Sequence, residues 1–519
     1  MIGEMTPVRG GGRTAGRDGF AQLLRAEWTK FWTVRGWVVS LVLAVLLPVG
    51  VALALGNASN AGNGGFPGVA TGPGGIAVND NFFFEHRSLA GDGSITVRVT
   101  SLTDGAVPRQ GEGNLAPQAW AKAGIILKDG TRAGSAYAAV MATPGHGVRM
   151  QYDFTHDTAG LPGAVSVSSP RWLRLARSGD TVTGYDSADG RHWVMIGKAT
   201  LAGLPSTAAA GLFVASPQAY QSGNGYVPTQ ARARFDDLSL QGGWSPGRWA
   251  LCEVGAPQSR VGAGCTPVSS RVVPLPLASE SRGTFTVYGS GDISPYVPIV
   301  DIVGGIIKAG SLAGLVALIA LSGVYVSSEY RRGMIRTTFA ASPRRGRVIL
   351  AKAIVIGAVA FAAGLAGAAV ALTIIGPKLR SQGWTPPIYP AVSLGTGTGL
   401  RIVAGTAVVL ALAAVFTLAV AVMLRRSVGA IVVGIALFVA PWLVAAAVGQ
   451  SLGAFLLRVT PFAGTAVEQG VQHYPQSSAV CLASHGCYPL APWDGVAVLA
   501  AWAVAALVAA WFVVRRRDA

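Results

Sequence analysis

The sequence predicts an α-helical membrane protein with six transmembrane helices and an all-β sandwich inserted between helices 1 and 2. Three observations predict it. Charged residues make up only 13% of the 519 residues while hydrophobic ones reach 51%, with mean hydropathy +0.46. Too few charges remain to cover one ordinary soluble domain, and so apolar a chain is not intrinsically disordered. Six long segments then carry no charged side chain at all. Finally, about 245 residues of ordinary polarity, punctuated by turn residues, separate the first of these segments from the second.

The six segments are Trp37–Leu55, Ala309–Ser328, Ala353–Ile375, Ile402–Leu424, Val428–Val448 and Gly495–Val514. Each has about the 20 apolar residues a helix needs to cross ~30 Å of hydrocarbon. The first is expected to remain as an anchor. It is too long for the apolar region of a signal peptide, and no clear small-x-small cleavage site follows it.

Orientation follows from Lys and Arg beside the spans. The segments before span 1, between spans 2 and 3, between 4 and 5, and after 6 together hold +13 of the net +17 charge. Six spans place all four on one side, so both termini are expected in the cytoplasm and residues 56–300 outside, in a multi-pass plasma-membrane protein. This distribution assigns the basic excess to topology. With no nucleic-acid-binding motif beside it, a nucleic-acid partner is not expected. Residues 56–300 are nearly neutral and start with a Gly/Asn linker over 56–75. All four cysteines fall on the expected outer side, Cys252 and Cys265 in the first outer loop, Cys481 and Cys487 in the third. That is the oxidising side, and two short-range disulfides are the simple expectation, with free thiols as the alternative.

Residues 76–240 read as strands. Ser94–Thr100, Gly124–Leu127, Gly147–Tyr152, Trp172–Arg177, Thr181–Tyr185 and Trp193–Ile196 alternate, or carry β-branched and aromatic residues, between Gly/Asp/Ser turns. Many short strands so punctuated suggest a β-sandwich. Trp120, Trp172 and Trp193 are expected mainly in its core. A glycosidase would need two carboxylates facing one cleft. The pairs Asp153/Asp157, Asp186/Asp189 and Asp236/Asp237 read as turn and surface groups. Residues 241–300, rich in Pro and Gly, read as a membrane-proximal return segment. The motifs "GDGSITVRVTSL" (91–102), "WAKAGIILKDG" (120–130), "WLRLARSGDTVTGYDSADGRHWVMIG" (172–197) and "ARFDDLSL" (233–240) resemble concanavalin-A-like lectin/glucanase sandwiches. That resemblance implies a fold and a carbohydrate ligand more than an activity.

Residues 1–36 contain "LLRAEWTKFWTVRGWV" (23–38), a basic, aromatic, amphipathic helix suited to the membrane interface. Residues 301–519 contain "SSEYRRGMIRTTFAASPRRGRVILAK" (327–352) between spans 2 and 3. Both stretches resemble the membrane (permease) subunits of actinobacterial type-2 ABC exporters. The resemblance implies an interface helix with Arg25, Glu27, Trp28 and Lys30. It also implies an ATPase-coupling helix with Glu329, Tyr330, Arg331, Arg332, Arg336 and Thr337. Between spans 5 and 6 it implies a re-entrant gate, here "GAFLLRVTPFAGTAVEQG" broken by Pro461 and Gly464.

No phosphate-binding G-x-x-x-x-G-K-[ST] occurs; Gly197-Lys198 is followed by Ala199. The chain is therefore not expected to be an enzyme or to bind a cofactor. ATP belongs to a separate ABC ATPase subunit, and the permease pairs with a second one as a homodimer or heterodimer among membrane lipid. Ala360, Gly364 and Ala368 would allow close helix contact. No metal site is expected. The runner-up reading is a membrane-anchored carbohydrate-binding or sensing protein without transport activity.

Overall fold

The computed structural model describes residues 19–59, 69–104, 118–221, 225–255, 266–267, 278–298, 300–331, 333–341, 344–448, 450–472, 474–478 and 488–516. Two helices open it. α1 (Phe20–Thr33) and α2 (Arg35–Ala58) meet at the extended residue Val34, so the chain turns sharply between them. The strands follow, and then seven helices: α3 (Ile302–Arg331), α4 (Met334–Ala341), α5 (Arg345–Ser381), α6 (Gly397–Leu424), α7 (Ser427–Ala447), α8 (Gln450–Val459) and α9 (Pro492–Arg516). Six of these, α2, α3, α5, α6, α7 and α9, are long and apolar enough to cross a membrane. α3, α5 and α6 form the interior of the helical domain, while α2, α7 and α9 bury only 17–22% of their most apolar stretches.

α3 and α5 run furthest past the uncharged segments. α3 begins at Ile302 rather than 309, and α5 covers Arg345–Ser381 rather than 353–375. The added residues include Lys308 and Lys352, both buried against partners, so a charge does not mark the helix end. The small residues of α5 are used within the chain. A Cβ at Gly364 would come within 2.9 Å of Ala407 Cα on α6, and Ala360 and Ala368 are buried.

The strand region is antiparallel. β1 (Ala70–Thr71) pairs with the start of the 28-residue β2 (Ala77–Asp104). β3 (Lys122–Lys128), β4 (Tyr137–Thr143), β5 (Gly147–Tyr152) and β6 (His156–Ala159) form a meander. β7 (Arg171–Ser178), β8 (Thr181–Ser187) and β9 (Val194–Thr200) form another. β10 (Thr207–Ala215) joins β3 to the middle of β2. β11 (Ala219–Gln221) and β12 (Gly225–Val227) make a small separate hairpin. β13 (Ala231–Trp244) pairs with the far end of β2. β14 (Ala250–Val254), β15 (Thr266–Pro267), β16 (Ala278–Ser281), β17 (Thr284–Gly289) and β18 (Asp292–Pro295) complete the set.

β2 bends through both layers of a sandwich. Its last third lies between β7 and β13, and its middle between β10 and β14. The layers close over Val97, Ile125, Val140, Leu173, Leu212 and Phe235. The β10–β3–β4 layer is covered on its other face too, by Phe82, Phe84, Val254 and Ile293 packed on Ile126, Met141 and Phe213. Strands buried on both faces read as unbroken apolar runs, as in Gly124–Leu127. The sandwich does not stop at residue 240. β14 and β18 pair with β2, and β17 with β13, so much of the expected return segment belongs to the same sheet.

Candidate functional site

At the end of the helices remote from the strands, α1, α3 and α5 meet on buried charge. Lys352 Nζ on α5 donates to both Glu27 carboxylate oxygens at 2.8 Å and to Glu329 Oε1 at 2.6 Å. Lys30 also donates to Glu329, and the Tyr325 hydroxyl donates to Glu27 Oε2 at 2.8 Å. Two carboxylates face two ammonium groups, so the cluster is neutral as a unit. Phe31, Trp37 and Tyr325 close over it as a ring cluster with centroids 4.8–6.1 Å apart. Buried charges persist only when so paired and hydrogen-bonded.

This geometry sorts the residues expected to meet a partner. Glu329 and Glu27 are buried, so their carboxylates face into the protein rather than toward a docking surface. Lys30 is turned onto the same cluster. Tyr330 is half-buried, its ring under the Arg425 guanidinium at 5.4 Å. Arg25, Trp28, Arg331 and Thr337 are exposed. Arg332 lies outside the described residues, as does the Arg336 side chain. Thr337 bonds back to Met334 O at 2.8 Å within α4. The result is a short helix, α4, that follows α3 and precedes α5, with the end of α3 that leads into it held by the ion cluster. Lys352 and Tyr325 escaped the sequence reading. Lys352 looks like one more orientation charge, and Tyr325 like one more residue of a span.

Between α7 and α9 the chain does not cross the helical layer. α8 gives way at Pro461 to a 3-10 segment, Pro461–Glu468, whose eight residues are all buried. Irregular backbone at such depth survives where protein covers it. Gly464 is needed there, since a Cβ would stand 2.6 Å from Leu499 Cδ2 on α9. The segment ends on a second group of buried charges, which the uncharged-span criterion hid. Glu468 Oε1 accepts from Thr406 Oγ1 at 3.1 Å, and its other oxygen has no partner. Asp301 accepts from the backbone amides of Gly304 at 2.8 Å and Gly470 at 2.7 Å. Lys308 Nζ lies 4.1 Å from the Tyr488 ring centre.

In the β-domain the candidate carboxylates are engaged locally. Asp157 pairs with Arg149, and Asp153 accepts from Tyr137 N at 3.3 Å. Buried Asp186 accepts from Leu161 N at 2.9 Å. Asp189 accepts from the Arg191 and His192 amides at 2.8 Å inside its turn, which holds its carboxyl far below the usual range. Asp236 grips Arg98 through two bonds of 2.6 and 2.7 Å, with Asp237 beside them at 3.2 Å. Trp172 and Trp193 are not core residues. They lie half-exposed on the outer face under Arg98 and Arg174 at 5.3 and 3.9 Å, whereas Trp120 is buried against His146. Two fully buried lysines hold the covering segments down. Lys128 bonds Asp80 of β2 at 2.6 Å, and Lys122 bonds Asp292 of β18. Burial pushes the Asp80 carboxyl up, with Lys128 pulling against it. Cys252 is disulfide-bonded, and Cys265, Cys481 and Cys487 lie outside the described residues. Among the described residues no cluster suits a metal ion.

No protein-family model matches the chain, and no curated protein does. Among solved structures, scytalido-glutamic peptidase with a transition state analog inhibitor is similar over 40% of this chain and 98% of its own, at 10% identity and TM-score 0.25. The alginate lyase from Klebsiella pneumoniae is similar over 30% of this chain and 61% of its own, at 12% identity and TM-score 0.19. A functionally unknown protein from Saccharomyces cerevisiae covers 31% and 74%, at 14% identity and TM-score 0.19. At such scores none of them carries an argument about activity.

Proposed function

We propose that this chain is the permease subunit of a type-2 ABC transporter, working as an exporter with its ATPase on a separate polypeptide. The observation that carries the reading is α4, a short helix between two long apolar helices, with Arg331 exposed just before it and a buried ion cluster holding the end of α3 that leads into it. A rigid mount lets a helix pass a partner's movement into the spans rather than flex in place. In this reading α4 and its flanks dock on the ATPase, and α1 lies in the inner membrane interface with Trp28 and Trp32 exposed to lipid headgroups. The exposed apolar faces of α2, α7 and α9 meet lipid or a second permease subunit, homologous or identical. The buried segment around Pro461 and Gly464 gates the outer end. The lectin-like β-domain stands outside the cell, where it meets carbohydrate or the exported substrate.

The test is reconstitution with a co-purified ATPase. Arg331→Glu combined with Arg332→Glu is expected to leave the permease folded but to cut transport-linked ATP hydrolysis at least tenfold. Wild-type hydrolysis and transport in that variant, or failure of any ATPase to co-purify, would overturn the reading.

A further inference from the structure

A cavity of about 420 Å³ lies where the β-domain meets the segment leading into α9. That volume is within the range of small-molecule sites. One wall is the start of β2, through Asn79 and Asn81. A second is the connection around β11 and β12, with Ser216, Gln218 and Tyr226. A third is residues 290–297, with Tyr296, and a fourth is Ser477 with Ser478.

The walls are fixed by bonds that do not fill the space. Asn81 Oδ1 accepts from Asp292 N at 3.0 Å, and Asn79 Nδ2 donates to Ser294 Oγ at 3.3 Å. Ser216 and Thr229 share a hydroxyl contact of 2.5 Å. Gln476 Nε2 donates to the Phe154 and Thr155 carbonyls at 3.2 Å, which holds the Ser477 wall against the β-domain.

The lining has a definite chemistry. Among the described residues that line it there is no Lys, Arg or His to offset a phosphate, sulfate or uronate. Of its two carboxylates, Asp292 is spent on Lys122, Ile293 N and Ser294. The other, Glu253, has no hydrogen-bond partner among the described residues, and neither does the Gln218 amide. Burial pushes the Glu253 carboxyl up from its usual range. Hydroxyls, amides and one carboxyl thus surround a space that also has the flat apolar faces of Tyr226, Tyr296 and Pro228. A ring with hydroxyls on its edge and C–H groups on its face complements such a lining.

We propose that this cavity binds a neutral, polyhydroxylated ligand, a glycan segment without acidic groups, at the seam between the β-domain and the helical domain. This rests on the β-domain being a ligand-binding module and not on ATPase coupling. The ligand would touch the chain shortly before α3 and shortly before α9 at once.

The test applies detergent-solubilised full-length protein to a glycan array carrying neutral, uronate and sulfated glycans. Binding confined to neutral glycans is expected. It should fall at least tenfold in Gln218→Ala, an exposed position, and in Ser478→Trp, which fills the cavity, with both variants checked by melting temperature. Absence of neutral-glycan binding, preference for the acidic glycans, or binding unchanged in the correctly folded variants would overturn the proposal. Repeating the array with the Arg331/Arg332 variant separates the two readings, since a loss of coupling leaves this binding intact.

Discussion

The helical domain buries charge at both ends, and the two ends do it differently. Remote from the strands, Lys352 and Lys30 touch Glu27 and Glu329 directly, and three helices are pinned together. Next to the strands, Lys308, Asp301 and Glu468 share a neighbourhood without an ion pair among the described residues. The ammonium lies over a ring, one carboxylate caps backbone amides, and the other leaves an oxygen bare. The first arrangement is a closed joint. The second holds its charges without ion pairs beside the buried 3-10 segment Pro461–Glu468.

The sharpest way to break this contrast is to remove one ammonium at each end. Lys352→Met leaves buried Glu27 without an ammonium and Glu329 with Lys30 alone, and should cost about 3–5 kcal/mol, read as a large fall in melting temperature and in folded yield. A loss below about 1 kcal/mol would mean the joint is not closed. Lys308→Met removes a cation with no ionic contact to break, and a long apolar side chain can replace its packing on Tyr488. Its cost should stay near 1 kcal/mol by the same melting assay. Equal losses in the two variants would erase the distinction.

A bare carboxylate in the β-domain gives the smallest effect and a pH signature. Burial, with Glu280 adding repulsion, pushes Glu85 up to about 7, and its Oε2 has no partner. Between about 4.5 and 7 the folded protein therefore holds a proton that the unfolded chain releases, so this group makes stability fall as pH rises through that window. Glu85→Gln should raise the melting temperature at pH 8, by an amount of order 1 kcal/mol, and change little at pH 4.5. A gain of equal size at both pH values would assign the effect to packing instead.

Some of this was legible in the sequence because it is local. An uncharged run of about 20 residues and an alternating strand such as Ser94–Thr100 need no knowledge of partners, and both stand where expected. What failed was non-local. β14 and β18 are four or five residues long and lie amid Pro and Gly, and they are strands because β2, far back in the chain, offers an edge. Lys352 meets Glu27 across 325 positions, so it counts as an orientation charge until the helices are packed. Glu329 is an acid in a basic segment. In the folded chain it pairs with Lys352 and Lys30, which its position in the sequence does not reveal. Trp172 and Trp193 show the converse, since aromatic strand residues suggest core and here lie under arginines on the outer face.

Only residues 296–301 separate the last strand, locked onto β2, from the first turn of α3. So short a connector leaves no slack. A tilt of α3 is therefore expected to pull on the sandwich, and a grip on the sandwich to oppose that tilt. The large domain is thus a handle on α3. An antibody fragment raised against its exposed face could stall the helical bundle without touching it.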